Sequence, residues 1–415
     1  MKQIMEQVLR ECIEEVHARK LLAQALEKEG LSKTQDYYLI AIGKAACAMA
    51  EAAHDYFGNR IIEGLVITRI GYARPVVEYD VRQAEHPIPG PHSIIAGEAV
   101  LELVQNRKKG VEFLLLISGG ASALAVSLRD GITLDDLRGI TEALQQGGAD
   151  IVELNSVRKH LSKIKGGQLA ELVKPAQIHG FLLSDVIGNR LDTIGSGPAV
   201  PDQTTTDNAV KNLEKYTQDR FAHVKDAMQK ETPNTVTNAT HKVIGDNELF
   251  CHLAAEKMRA EGIFPIILTT EMRGEARVFA GKIPEIVKSL RQLKGIIQFP
   301  CVAICGGETT VTVKNPDGIG GRNQELALAA AIAIRKMKGV SVAACASDGA
   351  DGRSDNAGAI VDWESYDKMI SIDIDPEDYL NANNSTLALD EIKAAIKTGP
   401  SNTNVNDILM IRIEE

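Results

Sequence analysis

The chain has 415 residues, 44% hydrophobic and 25% charged, which excludes a disordered, collagen-like or fibrous protein and exceeds one ordinary domain. Lys and Arg number 46 against 56 Asp and Glu, so the net charge of −10 excludes a broad nucleic-acid or anionic-membrane surface but leaves room for a local basic pocket.

The N-terminal residues 1–26 are charged throughout and apolar at helical spacing, without the apolar core of a signal peptide. No stretch approaches the roughly 18 uncharged apolar residues of a membrane span, so a cytoplasmic protein is expected. Cys12, Cys47, Cys251, Cys301, Cys305 and Cys345 are scattered, which suits neither a disulfide framework nor a zinc site.

The first strand signal is Tyr37–Ile42, ending in Gly43 and followed by an Ala-rich helix. Lys44 then sits beside helix N-terminal amides, where it can hold a phosphate or carboxylate or simply cap a turn. The spacing is not a Walker A motif, which would need Gly at Tyr38 and Ser or Thr at Ala45. Further strands are expected at Gly64–Thr68 and Phe113–Ile117. The second runs into Ser118, Gly119, Gly120, Ala121 and Ser122, a phosphate cradle or a merely steric Gly turn. No GxGxxG opens a helix, which disfavours a dinucleotide site, and no GxSxG is present for an α/β-hydrolase.

Residues 154–167 are locally basic, with Arg158, Lys159, Lys163 and Lys165, and Lys174 nearby. Leu154, Val157, Leu161 and Ile164 recur at three and four, so one helical face is buried. The cations form either a solvated face or a grip on an anionic substrate. Ile178–Leu183 is another strand, with Asp185 at its tip as a metal ligand, a base or a turn cap. Polar stretches at 202–208 and 231–240 read as loops, and the domain boundary is placed near 235, dividing 1–235 from 236–415.

Beyond it, strands are expected at Pro265–Leu268, Val302–Cys305, Thr309–Val313, Ser341–Ala346 and Ala359–Val361, with LMIRI last. Glu308 precedes the alternating TTVTV run. Arg322 stands at the start of an Ala-rich helix, where its charge opposes the helix dipole and hints at an offsetting anion. Ser347–Asn356 is dense in oxygen ligands but fails the EF-hand pattern at Ala350. The loop Thr398–Asp407 reads as hydrogen-bonded closure, with ligand contact secondary. Nine histidines without HxxxH or HExxH spacing argue against catalytic zinc, and His86 in EHPIPGPH is expected to be structural. Strands alternating with helices, mostly continuous rather than alternating in hydrophobicity, imply two α/β domains with covered parallel strands and a cleft between them.

The blocks IGKAACAMA, LLLISGGASAL, LNSVRKHLSKIKGGQLA, LLSDVIGNRLDTIGSGPAVPD, GGETTV, GIGGRNQELALA, ASDGADGRSDNAG and TGPSNTNVND occur in the order seen in the class II glycerate kinase (MOFRL) family. The chain resembles that family from about residue 38 to its end. The resemblance implies two three-layer α/β/α domains, the N-terminal one Rossmann-like with a mainly parallel sheet, the C-terminal MOFRL-type one with a mixed sheet. The last residues are free to pack back on the N-terminal domain. It implies ATP- and Mg²⁺-dependent phosphorylation of D-glycerate to 2-phosphoglycerate in the interdomain cleft, by a monomer or homodimer without nucleic-acid or membrane partners. The family's active-site Lys and Arg fall on Lys44 and Arg322. Asp185 is expected as proton acceptor or metal ligand, with Glu308 and Asp351 as further metal candidates. Ser118, Gly119, Gly120, Asn189 and Asn323 are expected on the nucleotide, and Arg158 and Lys165 on the glycerate carboxylate. Hydroxypyruvate reductase, a label long attached to this family, and a non-catalytic hydroxy-acid binder are the alternatives.

Overall fold

The run Tyr37–Ile42 is buried at every position and forms strand β1 of a computed structural model that describes residues 2–415. β2 (Ile61–Arg69), β3 (Asp80–Ala84), β4 (Glu112–Ile117), β5 (Ile178–Leu183) and β6 (Ala239–Gly245) join it in the order β3-β2-β1-β4-β5-β6. Every pairing from β3 through β5 is parallel. Continuous burial in β1 and nearly so in β4 follows from helices covering both faces, and this is the expected Rossmann-like arrangement.

β7 (Phe264–Met272), β8 (Cys301–Gly307), β9 (Val340–Ala346), β10 (Gly358–Asp362), β11 (Ala395–Ile396) and β12 (Asp407–Ile413) form a second sheet, ordered β11-β10-β9-β12-β8-β7. β7 and β8 are parallel, while β12 runs antiparallel between β8 and β9, so the sheet is mixed as expected. β8, β9 and β12 are buried throughout, and the six cysteines are buried free thiols.

Residues 18–244 form one compact unit, and residues 245–415 together with 2–17 form the other. The units divide at 244/245, and β6 completes the first sheet. The last strand, β12, lies inside the second sheet. It is the N-terminal helix Lys2–Glu15 that joins the second domain, through Lys2 Nζ on Asp362 Oδ2 at 2.9 Å, Lys257 Nζ on Glu11 Oε2 at 3.1 Å and Thr403 Oγ1 on the Val16 carbonyl at 2.6 Å.

The expected strand at Thr309–Val313 is absent. Thr310 makes one isolated bridge to Glu275, and the Glu275 carboxylate collects the Thr312 amide at 3.2 Å and the Thr312 hydroxyl at 2.8 Å. Side-chain to backbone bonding of this kind competes with a ladder. Among the described residues no helix is long and apolar enough to cross a membrane.

Candidate active site

The first sheet reverses its winding between β1 and β4, which opens a crevice beyond their carboxyl ends. Gly43 follows β1 at φ 137°, and a Cβ there would lie 2.1 Å from Ser118 Oγ, so only glycine lets the two turns meet. The Lys44 amide then donates to the Gly119 carbonyl at 2.9 Å, and the Ala45 amide donates to Ser118 Oγ at 3.0 Å. The expected phosphate cradle is thus partly spoken for: buried Ser118 and Gly119 hold the Lys44 turn. Lys44 is half-buried just ahead of the helix Ala46–Phe57. Asp185 and Asn189, both half-buried, follow β5 on the next strand over, Asn189 in the left-handed region at φ 52°.

Gly120 opens onto a pocket. A cavity of about 250 Å³ is lined by His86, Gly120, Ser122, Arg158 and Lys165, with Val126, Leu128 and Leu137 as its apolar wall. His86, expected to be structural, stands on this wall, and a Cβ on Gly120 would lie 2.8 Å from its ring. No carboxylate lines the cavity. Lys165 Nζ donates to the Ser122 carbonyl at 2.6 Å and the Ala125 carbonyl at 3.4 Å. Burial and then the neighbouring Arg158 charge push the Lys165 ammonium down to about 7. Burial likewise lowers the Arg158 guanidinium.

The basic run divides by partner. Lys159 is 2% exposed and lies 3.2 Å from Asp202 Oδ1 and 3.4 Å from Asp192 Oδ2. Lys163 pairs with Asp130 at 2.8 Å and Lys174 with Glu171 at 2.6 Å. Among the described residues, only Arg158 and Lys165 of that run meet no acid, and these two face the cavity. A relay behind the wall, missed in the sequence, ties Ser122 Oγ to Ser196 Oγ at 2.9 Å and Ser196 Oγ to Asn155 Oδ1 at 3.3 Å. Lys44, Asp185 and Asn189 do not line this cavity.

In the second domain, antiparallel β12 delivers its first residue, Asp407, opposite Gly307 and Ala346 at the carboxyl ends of β8 and β9. Asp407 is fully buried and takes the Arg322 guanidinium as a fork, Nε on Oδ2 at 2.5 Å and Nη2 on Oδ1 at 2.9 Å. Glu308 Oε1 meets Arg322 Nη1 at 2.7 Å. Burial alone would lower the Arg322 guanidinium, but Asp407 and then Glu308 raise it, so it stays charged. The anion that offsets Arg322 at its helix start is therefore the protein's own. Asp407 was assigned to loop closure; an acid bordering an apolar run such as LMIRI is the signal of a buried partner.

Two expectations are corrected here. Asp351 Oδ1 accepts from the Asn323 amide at 3.1 Å and its Nδ2 at 3.3 Å, and Oδ2 accepts from the Gln324 amide at 2.8 Å and its Nε2 at 3.2 Å. Asp351 thus caps the helix Arg322–Ile334 instead of standing open to a metal, and Asn323 is turned to Asp351 instead of to a nucleotide. Burial raises the Asp351 carboxyl to about 6, against the pull of those amides and with Asp407 adding like-charge repulsion. Among the described residues no cluster of three His, Cys, Asp or Glu side chains is placed to hold a metal ion.

The fold and these sites define a two-domain α/β protein with a Rossmann-ordered first domain that encloses a cationic cavity. The chain belongs to the glycerate kinase (MOFRL) family: residues 301–407 match the MOFRL family, and residues 4–229 match a domain of unknown function, DUF4147. A D-glycerate 2-kinase of Thermotoga maritima is 39% identical over 99% of this chain and 98% of its own. The crystal structure of a glycerate kinase from Thermotoga maritima superposes with a TM-score of 0.92 at 39% identity, covering 99% of both chains. A putative hydroxypyruvate reductase of Agrobacterium vitis is 37% identical over 90% of this chain and 86% of its own.

Proposed function

We propose that this protein transfers the γ-phosphoryl group of ATP to the 2-hydroxyl of D-glycerate, giving 2-phosphoglycerate and ADP. The observation that carries it is the first-domain cavity, with two cations, no acid and a small volume. Its volume of about 250 Å³ suits a three-carbon hydroxy acid better than a nucleotide. The Arg158 fork and the Lys165 point charge are donors suited to a carboxylate.

Phosphoryl transfer asks the protein for positioning and charge neutralisation. The bond from the glycerate 2-oxygen to the γ-phosphorus forms as the bond from that phosphorus to the β,γ-bridging oxygen breaks, and the hydroxyl proton passes to a carboxylate base, for which Asp185, outside the cavity lining, is our candidate. Lys44 in the first unit and Arg322 in the second each offer a cation for phosphate charge, Arg322 in the orientation that Asp407 imposes. Magnesium arriving with nucleotide phosphates needs only one or two protein carboxylates, and the partly exposed Asp185 and Glu308 suit it where Asp351 does not. Held by those residues, magnesium would supply further neutralisation of phosphate charge.

The shifted lysine sets a pH dependence. Lys165 holds a carboxylate only when charged, so as pH rises above about 7 the KM for D-glycerate is expected to rise, by at most about tenfold per pH unit. Stability of the ligand-free protein runs the other way. Between pH 7 and 10 the unfolded lysine keeps a proton that the folded one has lost, so stability attributable to Lys165 rises with pH across that window. A pH series of KM, with thermal melting alongside, checks both directions.

The reductase name of the Agrobacterium vitis relative makes a second activity worth testing, although the β1 turn lacks the glycine fingerprint of a dinucleotide site. Incubation with D-glycerate and MgATP should release ADP. A parallel incubation with hydroxypyruvate should leave NAD(P)H unchanged. NAD(P)H loss without ADP release would establish the reductase instead.

A further inference from the structure

We infer that the nucleotide binds in the second domain, in the cavity beside Arg322, as a nucleoside triphosphate; this rests on the kinase activity proposed above. The cavity measures about 580 Å³, more than twice the volume of the first-domain one and within the roughly 300–1,000 Å³ of small-molecule and cofactor sites. It lies beyond the carboxyl ends of β8 and β9, since Glu308 follows one and the loop carrying Arg353 follows the other, which is where open α/β sheets take ligands.

Its wall has the parts a nucleotide asks for. Val311 and Val313 present apolar surface to a base, Val313 being 63% exposed. Arg353 is exposed, donates to the Pro316 carbonyl, and among the described residues meets no carboxylate, so its charge is open to a phosphate. The buried Thr309 hydroxyl on the same wall has no hydrogen-bond partner. Arg322 reaches the cavity with its charge secured by Asp407.

The other large cavities fit a triphosphate worse. One of about 550 Å³ in the first domain is lined by Glu63, Glu78, Asp80 and Glu102, and its Arg82 already pairs with Asp80 at 2.8 Å. A groove of about 710 Å³ spends its Lys163 on Asp130 at 2.8 Å and its Arg129 on the Ala227 and Lys230 carbonyls, and Glu98 and Glu102 share the lining with its remaining Lys230.

Photolabelling the full-length protein with 8-azido-ATP, together with steady-state kinetics of Arg353→Ala and Val313→Asp, tests this. Both side chains are exposed, so neither change empties the core, and thermal melting confirms folding. The label is expected on peptides spanning 308–322 or 351–385. Each substitution should raise the KM for ATP about tenfold or more while the KM for D-glycerate stays put. Labelling confined to first-domain peptides, or an unchanged KM for ATP in both variants, overturns the inference while ADP release by the wild type leaves the kinase activity standing. Neither label nor ADP release sinks both together.

Discussion

Replacing Lys165 with methionine is expected to raise the KM for D-glycerate about tenfold to a hundredfold while leaving the KM for ATP near its wild-type value, since a hydrogen bond to a charged group is worth about 1.5–3 kcal/mol. Methionine fills nearly the same volume, so the cavity keeps its shape and loses its charge. Lys165 contributes little to stability: its ammonium donates only to the Ser122 and Ala125 carbonyls, and burial works against its charged form. The variant should therefore melt no lower than the wild type near neutral pH, and the rise of KM with pH should flatten. Arg158→Ala should raise the same KM through loss of the guanidinium fork. A Lys165→Met protein with wild-type KM for D-glycerate would remove the acid from this cavity.

Asp407→Ala is expected to be costly in both stability and turnover. Asp407 is fully buried and holds two nitrogens of Arg322. Removing one partner of a buried pair costs about 3–5 kcal/mol, reduced here by the Glu308 contact that Arg322 keeps at 2.7 Å. Asp407→Asn keeps the shape and one acceptor, so it should destabilise less while still loosening the orientation of Arg322. Removing the Asp407 charge should also let the Asp351 carboxyl fall from about 6, because Asp407 adds repulsion to what burial does there. Urea denaturation alongside kcat separates the two effects. Asp407→Asn with wild-type kcat would show that Arg322 needs no such fixing.

The parts of this molecule readable along the chain are those set by local pattern. The unbroken apolar runs at Tyr37–Ile42 and Ile178–Leu183 are buried parallel strands, and the loops after them frame the crevice. The basic stretch 154–167 stood equally between a solvated face and an anion grip, because which cation finds a carboxylate depends on chain far away. Lys159 finds Asp192 and Asp202, and Lys163 finds Asp130, whereas Arg158 and Lys165 find none. Asp407 was hidden for a similar reason: only the antiparallel insertion of β12 between β8 and β9 carries it 85 positions back to Arg322. The positive charge at a helix start did signal an anion, but periodicity does not say whether the anion is ligand or protein. At Thr309–Val313 the alternation was real and lost to Glu275, whose carboxylate satisfies the threonines locally.

The most direct measurement is the phosphorus NMR spectrum of D-glycerate, ATP and magnesium after incubation with the protein. Phosphate on the 2-oxygen couples to the single proton on carbon 2, and phosphate on the 3-oxygen couples to the two on carbon 3. The expected result is a new phosphomonoester doublet growing in step with ADP, absent without protein and strongly reduced with Lys165→Met at sub-saturating glycerate. A triplet would contradict the 2-position. No phosphomonoester signal at all would contradict glycerate phosphorylation itself.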